Sequence, residues 1–251
     1  MGYGLHMIRA GEADVMIAGG AEAPIVEDIW AGFCKFGVMS SSQNPLNAMK
    51  PFDQMRDGFL LGEGAAFLIL EELHHAMNRG ARVYAEVLGH GRSCEAYSAL
   101  APHPQGVGTR ESIRKALESS GIVGPGIDYI NAHGTATESN DPAETNGIKE
   151  FFGAAAEKLA VSSTKPVTGH LLGAAGAIES VVCALAISKK EIPPTINLAQ
   201  PDPICSLDYV SEGARKKDLR YVLNLNSGFG GKNSCLMLGK FTEKNQAYQE
   251  L

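Results

Sequence analysis

The chain has 251 residues, 44% of them hydrophobic and 20% charged, a composition typical of globular proteins rather than disordered or collagen-like ones. Its 28 acidic and 22 basic residues give a net charge of −6, so it lacks the positive field that holds nucleic acid or an anionic membrane surface. We therefore expect neither nucleic acid nor a membrane as a partner.

Apolar periodicity, interrupted by glycine and proline, predicts an alternation of strands and helices. In chain order, the prediction comprises a helix ending at Gly11, a buried strand over 14–20, a loop over 32–57, strands over 65–71 and 83–89, a helix over 109–120, a strand over 129–132, a helix over 142–152, a strand over 159–162, a helix over 174–189, and a final strand pair over 221–225 and 234–238. The helix over 174–189 is apolar on nearly every face, so it must be covered on both sides, as a helix between two sheets is. The sequence therefore predicts a layered α/β fold.

Two distant parts of the chain share the order strand, glycine turn, strand. DVMIAGG is followed later by GEGAAFLILEE, and YVLNLNS is followed by GGKNSCLMLGK. The pattern indicates two related halves, the first of which would begin before Met1. The strand over 14–20 is apolar on both faces and would expect neighbours that this chain supplies only in part. Gly62 and Gly64 are interpreted as a hairpin turn.

Three segments place polar or small residues directly after a predicted strand, where open α/β sheets bind their ligands. They are NAHGTATESNDPAE at 131–144, SSTKPVTGHLLGAAGAIE at 162–179 and NSGFGGKNS at 226–234.

His133 and His170 stand out in the first two of these segments. A helix begins soon after His170, and the positive end of a helix favours a neutral imidazole that can donate an N–H to an oxyanion. Two histidines in matched positions with Lys165 nearby favour catalysis over a purely structural role. A zinc site is the weaker alternative because neither HxxxH nor HExxH occurs and no cysteine is close in sequence, so no metal is expected.

Glu179 falls inside the otherwise apolar helix and needs a cation or hydrogen-bond donors there. Lys165 is the obvious partner, and the two form either a structural ion pair or part of a catalytic site. Cys183 on the same helix is assigned to the core. Phe229 lies between Gly228 and Gly230, where bare backbone can direct N–H groups at a ligand.

The chain has five cysteines, at positions 34, 94, 183, 205 and 235, with no CxxC pair. An odd number at wide spacing supports neither a disulfide framework nor a thiolate zinc site, so reduced thiols are expected. The first residues resemble neither a signal peptide nor a transit peptide. We expect a cytoplasmic location, or a plastid or mitochondrion in a eukaryote.

Several motifs resemble those of the β-ketoacyl-acyl-carrier-protein synthases, the elongating condensing enzymes of type II fatty acid synthesis. They are HGTATESNDPAE, SSTKPVTGHLLGAAGAIES, IPPTINLAQPDP, EADVMIAGGAEA and KPFDQMRDGFLLGEGA, which together extend over nearly the whole chain. The resemblance implies the thiolase-like fold, a layered αβαβα arrangement of two duplicated halves. Residues 1–75 would be the end of the N-terminal half, and residues 76–251 the complete C-terminal half.

The resemblance also implies a reaction. An acyl group moves from a carrier protein to a cysteine, malonyl-carrier-protein is decarboxylated, and the enolate attacks the acyl-enzyme. By this resemblance, His133 and His170 would hold the malonyl thioester and stabilise the enolate, and Lys165 with Glu179 would orient the site. Further roles would fall to Phe229 as an oxyanion-hole residue and gate, to Thr135 and Thr137 as ligands of the phosphopantetheine arm, and to Gly228 and Gly230 as substrate-binding positions.

Two features depart from the family pattern. The nucleophilic cysteine of the family would fall about seven positions before Met1, so none of the five cysteines occupies its place. The usual NSFGFGG is LNSGFGG here, with Ser227 at the first phenylalanine, so the shape of the pocket near Phe229 does not follow from the resemblance.

Three alternatives follow for the chain as a whole. It is a fragment of a condensing enzyme, a subunit whose nucleophile lies on another chain, or a non-catalytic partner that resembles a chain-length factor of a type II polyketide or fatty acid synthase. The intact histidine pair argues against the third. The implied partners are an acyl carrier protein, which brings the phosphopantetheine, and either a second copy or a chain bearing the N-terminal half. No bound cofactor is implied.

Overall fold

The structure is a computed structural model that describes residues 1–122 and 126–242. The helices are α1 (Gly2–Arg9), α2 (Glu27–Lys35), α3 (Leu73–Asn78), α4 (Val107–Ser120), α5 (Asn140–Phe152), α6 (Lys165–Thr168) and α7 (Ala175–Lys189). The strands are β1 (Val15–Glu22), β2 (Gly64–Glu71), β3 (Glu86–Cys94), β4 (Tyr129–Asn131), β5 (Ala160–Ser162), β6 (Glu191–Ile192), β7 (Arg215–Lys216), β8 (Tyr221–Gly228) and β9 (Lys232–Gly239).

A five-stranded mixed sheet with the order β3-β9-β8-β4-β5 forms the centre of the fold. Strand β4 runs parallel to β5 and β8, whereas β8, β9 and β3 are antiparallel neighbours. Alternate side chains of β9 point to opposite faces, so Leu236 and Leu238 pack with α7 while Cys235 and Met237 pack with α4 and α5. The carboxyl end of β4 leads into the first histidine motif.

Strands β1 and β2 form a separate antiparallel sheet on the other side of α7. Helix α7 contacts both sheets, which explains why no face of it is polar. The layers are therefore sheet, helix, sheet and helix, and the predicted helix between two sheets is confirmed. Each sheet contains an antiparallel pair, β1 with β2 and β8 with β9, as the internal similarity predicts.

The 18-residue segment Leu172–Lys189, which includes α7, is apolar enough to cross a membrane by length and composition alone. Half of it is buried within the protein. Its place between two sheets is typical of a core helix.

The prediction of a buried strand over 14–20 is wrong in one respect. The strand forms, but only one face is covered, because α7 packs on the side of Ala66 and Leu70. The opposite face leaves Ile17 73%, Phe67 58% and Ile69 66% exposed. Ile17 pairs directly with Ile69 across the strands, so these side chains form one continuous apolar surface.

Other elements differ from the sequence prediction in position or existence. Strand β3 begins at Glu86 and ends at Cys94, later than the predicted 83–89. Helix α2 lies partly within the stretch predicted as a loop, and α3 is not predicted at all. Both are short, with nine and six residues, and hold too few periods to give a clear pattern.

Candidate functional site

His133 lies in a tight loop that follows β4. The loop turns at Gly134 and Ala136, whose φ angles are +40° and +60°. The carboxylate of Glu144, on α5, accepts hydrogen bonds from the backbone N–H groups of His133 at 2.7 Å and Gly134 at 2.9 Å. The acidic residue at the end of the motif therefore fixes the position of the histidine at its start.

Two buried acids of α5 hold this loop, and the sequence pattern did not predict a role for either. Asp141 accepts a hydrogen bond from the N–H of Phe52 at 2.8 Å, which joins the motif to the segment before β2. Burial raises the pKa of Glu144 to about 7 and that of Asp141 to about 6. The sequence signal for this role was a pair of carboxylates at the start of the helix predicted over 142–152. That signal is not specific, because acids are also common at the N-terminus of exposed helices.

His170 is held by the segment that precedes β2. The backbone N–H of His170 donates to the carbonyl of Leu60 at 2.8 Å, and the backbone carbonyl of His170 accepts from the N–H of Gly62 at 3.1 Å. A Cβ atom on Gly62 would lie 2.3 Å from the carbonyl oxygen of Thr168, so this close approach requires glycine. The interpretation of Gly62 and Gly64 as a hairpin turn is wrong, because β2 begins at Gly64 and pairs with the distant strand β1, whereas Leu61 just before it bridges to His170.

The structure brings the two histidines together. Their ring centroids are 5.3 Å apart with the planes at 81°, and the residues are 5% and 8% exposed. Burial and the nearby charge of Lys165 lower the pKa of His170 to about 3 and that of His133 well below its usual value. Both imidazoles are neutral at physiological pH, for reasons of burial and charge rather than a helix N-terminus alone.

The hydrogen bonds of His170 indicate which of its two ring nitrogens carries the hydrogen. The N–H of Leu172 donates to Nδ1 of His170 at 3.2 Å, so this nitrogen is an acceptor. A neutral imidazole with an accepting Nδ1 carries its hydrogen on Nε2. His170 therefore presents an N–H donor. Nδ1 of His133 is buried without a hydrogen-bond partner among the described residues.

Lys165 and Glu179 form the buried pair that the sequence predicts. The Nζ and Oε1 atoms are 2.5 Å apart, and each side chain is 1% exposed. Burial raises the pKa of Glu179, whereas Lys165 acts in the opposite direction. The same ammonium lowers the pKa of both histidines, so the pair sets the charge environment of the site.

A cavity of about 260 Å³ opens in front of the histidines. Thr135 and Thr137 line it, and their hydroxyl oxygens are 3.0 Å apart. Gly228 and Phe229 form part of the opposite wall. The sequence-predicted residues His133, His170, Thr135, Thr137, Gly228 and Phe229 thus share one cavity.

Phe229 stacks on Phe33 of α2, with the ring centroids 6.3 Å apart. Phe33 was missed because the stretch around it was predicted to be a loop. Gly230, the other predicted substrate-binding glycine, lies in the turn between β8 and β9. It is absent from the residues that line the cavity, and its N–H donates to the carbonyl of Ala99 at 2.8 Å. Its φ of +81° is a conformation that favours glycine in this turn.

A second cavity, of about 360 Å³, also reaches His133. It lies between the start of α1, the first turns of α7 and strand β8, and its polar walls include Ser180, Asn224 and Asn226. None of the five cysteines, all of which fall within the described ranges, lines either cavity. Residues 1–122 and 126–242 contain no cluster of three or more histidine, cysteine or acidic side chains suited to a metal ion.

Two family models match the chain in sequence order. Residues 3–76 match the N-terminal domain of β-ketoacyl synthase, and residues 84–199 match its C-terminal domain.

Curated relatives are similar along nearly the whole chain. It is 46% identical over 242 residues to 3-oxoacyl-[acyl-carrier-protein] synthase 2 of Synechocystis sp., covering 96% of this chain and 58% of the relative. It is 46% identical over 241 residues to the same enzyme of Coxiella burnetii, with the same two coverages. The chain thus spans less than two thirds of the length of these relatives.

Solved structures show the same similarity in three dimensions. A type II polyketide synthase acyl carrier protein in complex with its ketosynthase bound to the hexaketide matches with a TM-score of 0.94 at 39% identity, over 96% of this chain and 59% of that chain. The ishigamide ketosynthase/chain length factor matches with a TM-score of 0.89 at 41% identity, over 96% and 57% of the two chains. At these identities and scores, the likeness extends to the thiolase-like ketosynthase fold.

Proposed function

The chain belongs to the β-ketoacyl synthase family, and from this premise we propose that it supplies the malonyl-activating site of a 3-oxoacyl-acyl-carrier-protein synthase. One observation carries the proposal. Two neutral, buried imidazoles converge on one cavity beside a buried ammonium, an arrangement suited to an oxyanion that develops during reaction.

The proposed chemistry begins with a malonyl thioester in the cavity. The bond between its carboxylate carbon and its methylene carbon breaks, CO₂ leaves, and the electron pair forms an enolate. The Nε2–H of His170, with His133 opposite, donates to the enolate oxygen. The enolate carbon then attacks an acyl thioester, a carbon–carbon bond forms, and the thiolate leaves. Neutral donors suit this step because a protonated imidazole would lose its proton to the enolate.

The cavity in front of the histidines is the proposed binding site of the phosphopantetheine arm, which arrives on an acyl carrier protein. Thr135 and Thr137 would hydrogen-bond its amides, and Phe229 with Gly228 would form the wall that gates the reacting centre. The hydroxyl oxygens of the two threonines are within hydrogen-bond distance of one another, and each hydroxyl can rotate to donate to or accept from a ligand amide.

The acyl-bearing thiol is proposed to come from outside residues 1–251. Acyl transfer needs an accessible thiolate next to the site, and no cysteine of the chain lines either cavity. Burial also raises the pKa of Cys205 to about 12, which removes its nucleophilic form at neutral pH. The polar cavity beside Ser180 and Asn226 is the proposed place for the incoming thioester.

The exposed face of β1 and β2 is the proposed contact for a chain that bears the N-terminal half of a ketoacyl synthase. Its apolar side chains, including Ile17 and Ile69, have no cover in the described structure. Replacing Ile17 with Lys should weaken association with that chain in sedimentation experiments. Leu46, which is 85% exposed in the 3-10 turn Pro45–Asn47 outside β1 and β2, supplies the matched control Leu46→Lys.

Intact-mass measurement tests whether the acyl-bearing thiol lies outside this chain. After incubation with an acyl-carrier-protein thioester, the chain alone should carry no acyl adduct. With the complementary chain and malonyl-carrier-protein added, a 3-oxoacyl thioester should form. An adduct on one of the five cysteines of the isolated chain would contradict the proposal. Association without any decarboxylation would instead favour a non-catalytic partner resembling a chain-length factor.

A further inference from the structure

One cation lies among the residues that line the cavity in front of the histidines. Within the described part of the chain, Lys232 is the only lysine or arginine of that lining. It begins β9 immediately after the glycine turn, and its Cα is paired with those of Gly228 and Cys94. Lys232 is exposed, whereas its neighbours Gly231 and Asn233 are buried. The ammonium therefore stands at the solvent side of the cavity.

No carboxylate of the cavity forms an ion pair with this ammonium. Glu95 is the one acidic residue of the lining in ranges 1–122 and 126–242, and its oxygens are already occupied. They accept from the N–H groups of His103 at 2.6 Å and Gly108 at 3.2 Å, and from Nδ2 of Asn233 at 3.2 Å. Lys232 forms no ion pair within the same ranges.

The cavity thus has two chemically different ends. Its inner end holds the neutral histidines, which are almost fully buried, and its outer end holds an exposed ammonium without an ion-pair partner among the described residues. A ligand that fits both ends has a reactive, oxygen-bearing group at one terminus and an anion at the other. A phosphopantetheine thioester has this polarity, because its thioester and its phosphate are at opposite ends of the arm.

We propose that Lys232 binds the phosphate group of the phosphopantetheine arm and so anchors its outer end at the mouth of the cavity. This inference rests on the proposed function, since it takes the arm as the ligand of that cavity. An ion pair at such an exposed position contributes about two- to five-fold in affinity, and added salt weakens it.

Equilibrium binding of two small probes tests the inference by calorimetry. The probes are 4′-phosphopantetheine and pantetheine, which differ only in the phosphate. The full chain should bind the phosphorylated probe about two- to five-fold more tightly, and 0.5 M NaCl should remove the difference. Lys232→Gln should weaken binding of 4′-phosphopantetheine to the level of pantetheine and leave pantetheine binding unchanged. Lys158→Gln, at another exposed lysine, should retain the wild-type preference.

Two results would overturn the inference while leaving the proposed function in place. Either wild-type chain binds the two probes equally, or Lys232→Gln keeps the preference for the phosphorylated probe. A lysine that instead contacts an acidic residue of the carrier protein would give the first result. Failure of the wild-type chain to bind either probe would overturn the pantetheine assignment itself, and the proposed function with it.

Discussion

The Nζ atom of Lys165 lies 2.5 Å from Oε1 of Glu179, and burial together with the charge of this lysine lowers the pKa of both His133 and His170. Burial disfavours a charged imidazole, and a buried positive charge opposes a second one, so the imidazoles stay neutral. The ion pair and the N–H donors are therefore parts of one electrostatic arrangement.

The protonation state of His170 is the first testable consequence. Because its pKa is lowered to about 3, the imidazole should remain neutral when the pH falls from 7 to 5. Nitrogen-15 NMR of the ring should show one protonated and one bare nitrogen over that range. Lys165→Met should raise the pKa of His170, because it removes the repelling charge. Protonation of wild-type His170 near pH 6.5 would refute the electrostatic account.

We expect substitutions of Lys165 and Glu179 to have strongly non-additive effects on the free energy of unfolding. Removing one partner leaves an uncompensated buried charge and should cost about 3 to 5 kcal/mol in the free energy of unfolding. Lys165→Met with Glu179→Leu should cost less than the sum of the single changes, because neither charge remains. Denaturant unfolding of the four proteins measures the coupling. Additive losses would mean that the two side chains do not depend on one another.

The raised pKa of Glu144 should make the stability of the folded chain depend on pH. Its pKa is raised from 4.5 to about 7 in the folded chain, so folding favours the protonated form. The folded state therefore holds the extra proton between about pH 4.5 and 7, and the stability contributed by Glu144 is lost as the pH rises through that window. A shift of this size corresponds to roughly 3 kcal/mol.

Glu144→Gln provides the measurement. The difference in unfolding free energy between variant and wild type should move in favour of the variant as the pH rises from 4.5 to above 7. Taking the difference removes the opposite pH dependence of the two histidines, which both proteins share. A difference that does not change with pH would show that burial does not raise the pKa of this carboxyl.

Much of the fold could be predicted because its signals are local. Short windows of sequence are enough to show that α7 is apolar on nearly every face. They also contain the apolar runs that become β4 and β8, together with the polar residues that follow each strand. The pairing of Lys165 with Glu179 was predictable for a related reason, since a carboxylate in an apolar helix requires a partner.

Other features depend on tertiary contacts that no short window contains. Glu144 matters because its helix folds back onto the loop that begins at His133, and Gly62 matters because its backbone meets Thr168. The exposure of Ile17 depends on which elements cover β1, not on the strand pattern itself. The backbone N–H of Gly230 donates to the carbonyl of Ala99, a residue far away in sequence, so its motif alone does not reveal this contact.

Decarboxylation of malonyl-pantetheine tests the central claim most directly, because it needs the histidines but no acyl-bearing cysteine. The purified chain should convert this thioester to acetyl-pantetheine and CO₂, followed by chromatography of the thioesters. His133→Ala and His170→Ala should each lower the rate about 100-fold or more, the usual cost of losing an oxyanion donor. His74→Ala, at an exposed position, should keep the wild-type rate. A folded wild-type chain that leaves the thioester intact, or either site variant that decarboxylates it at the wild-type rate, would contradict the account.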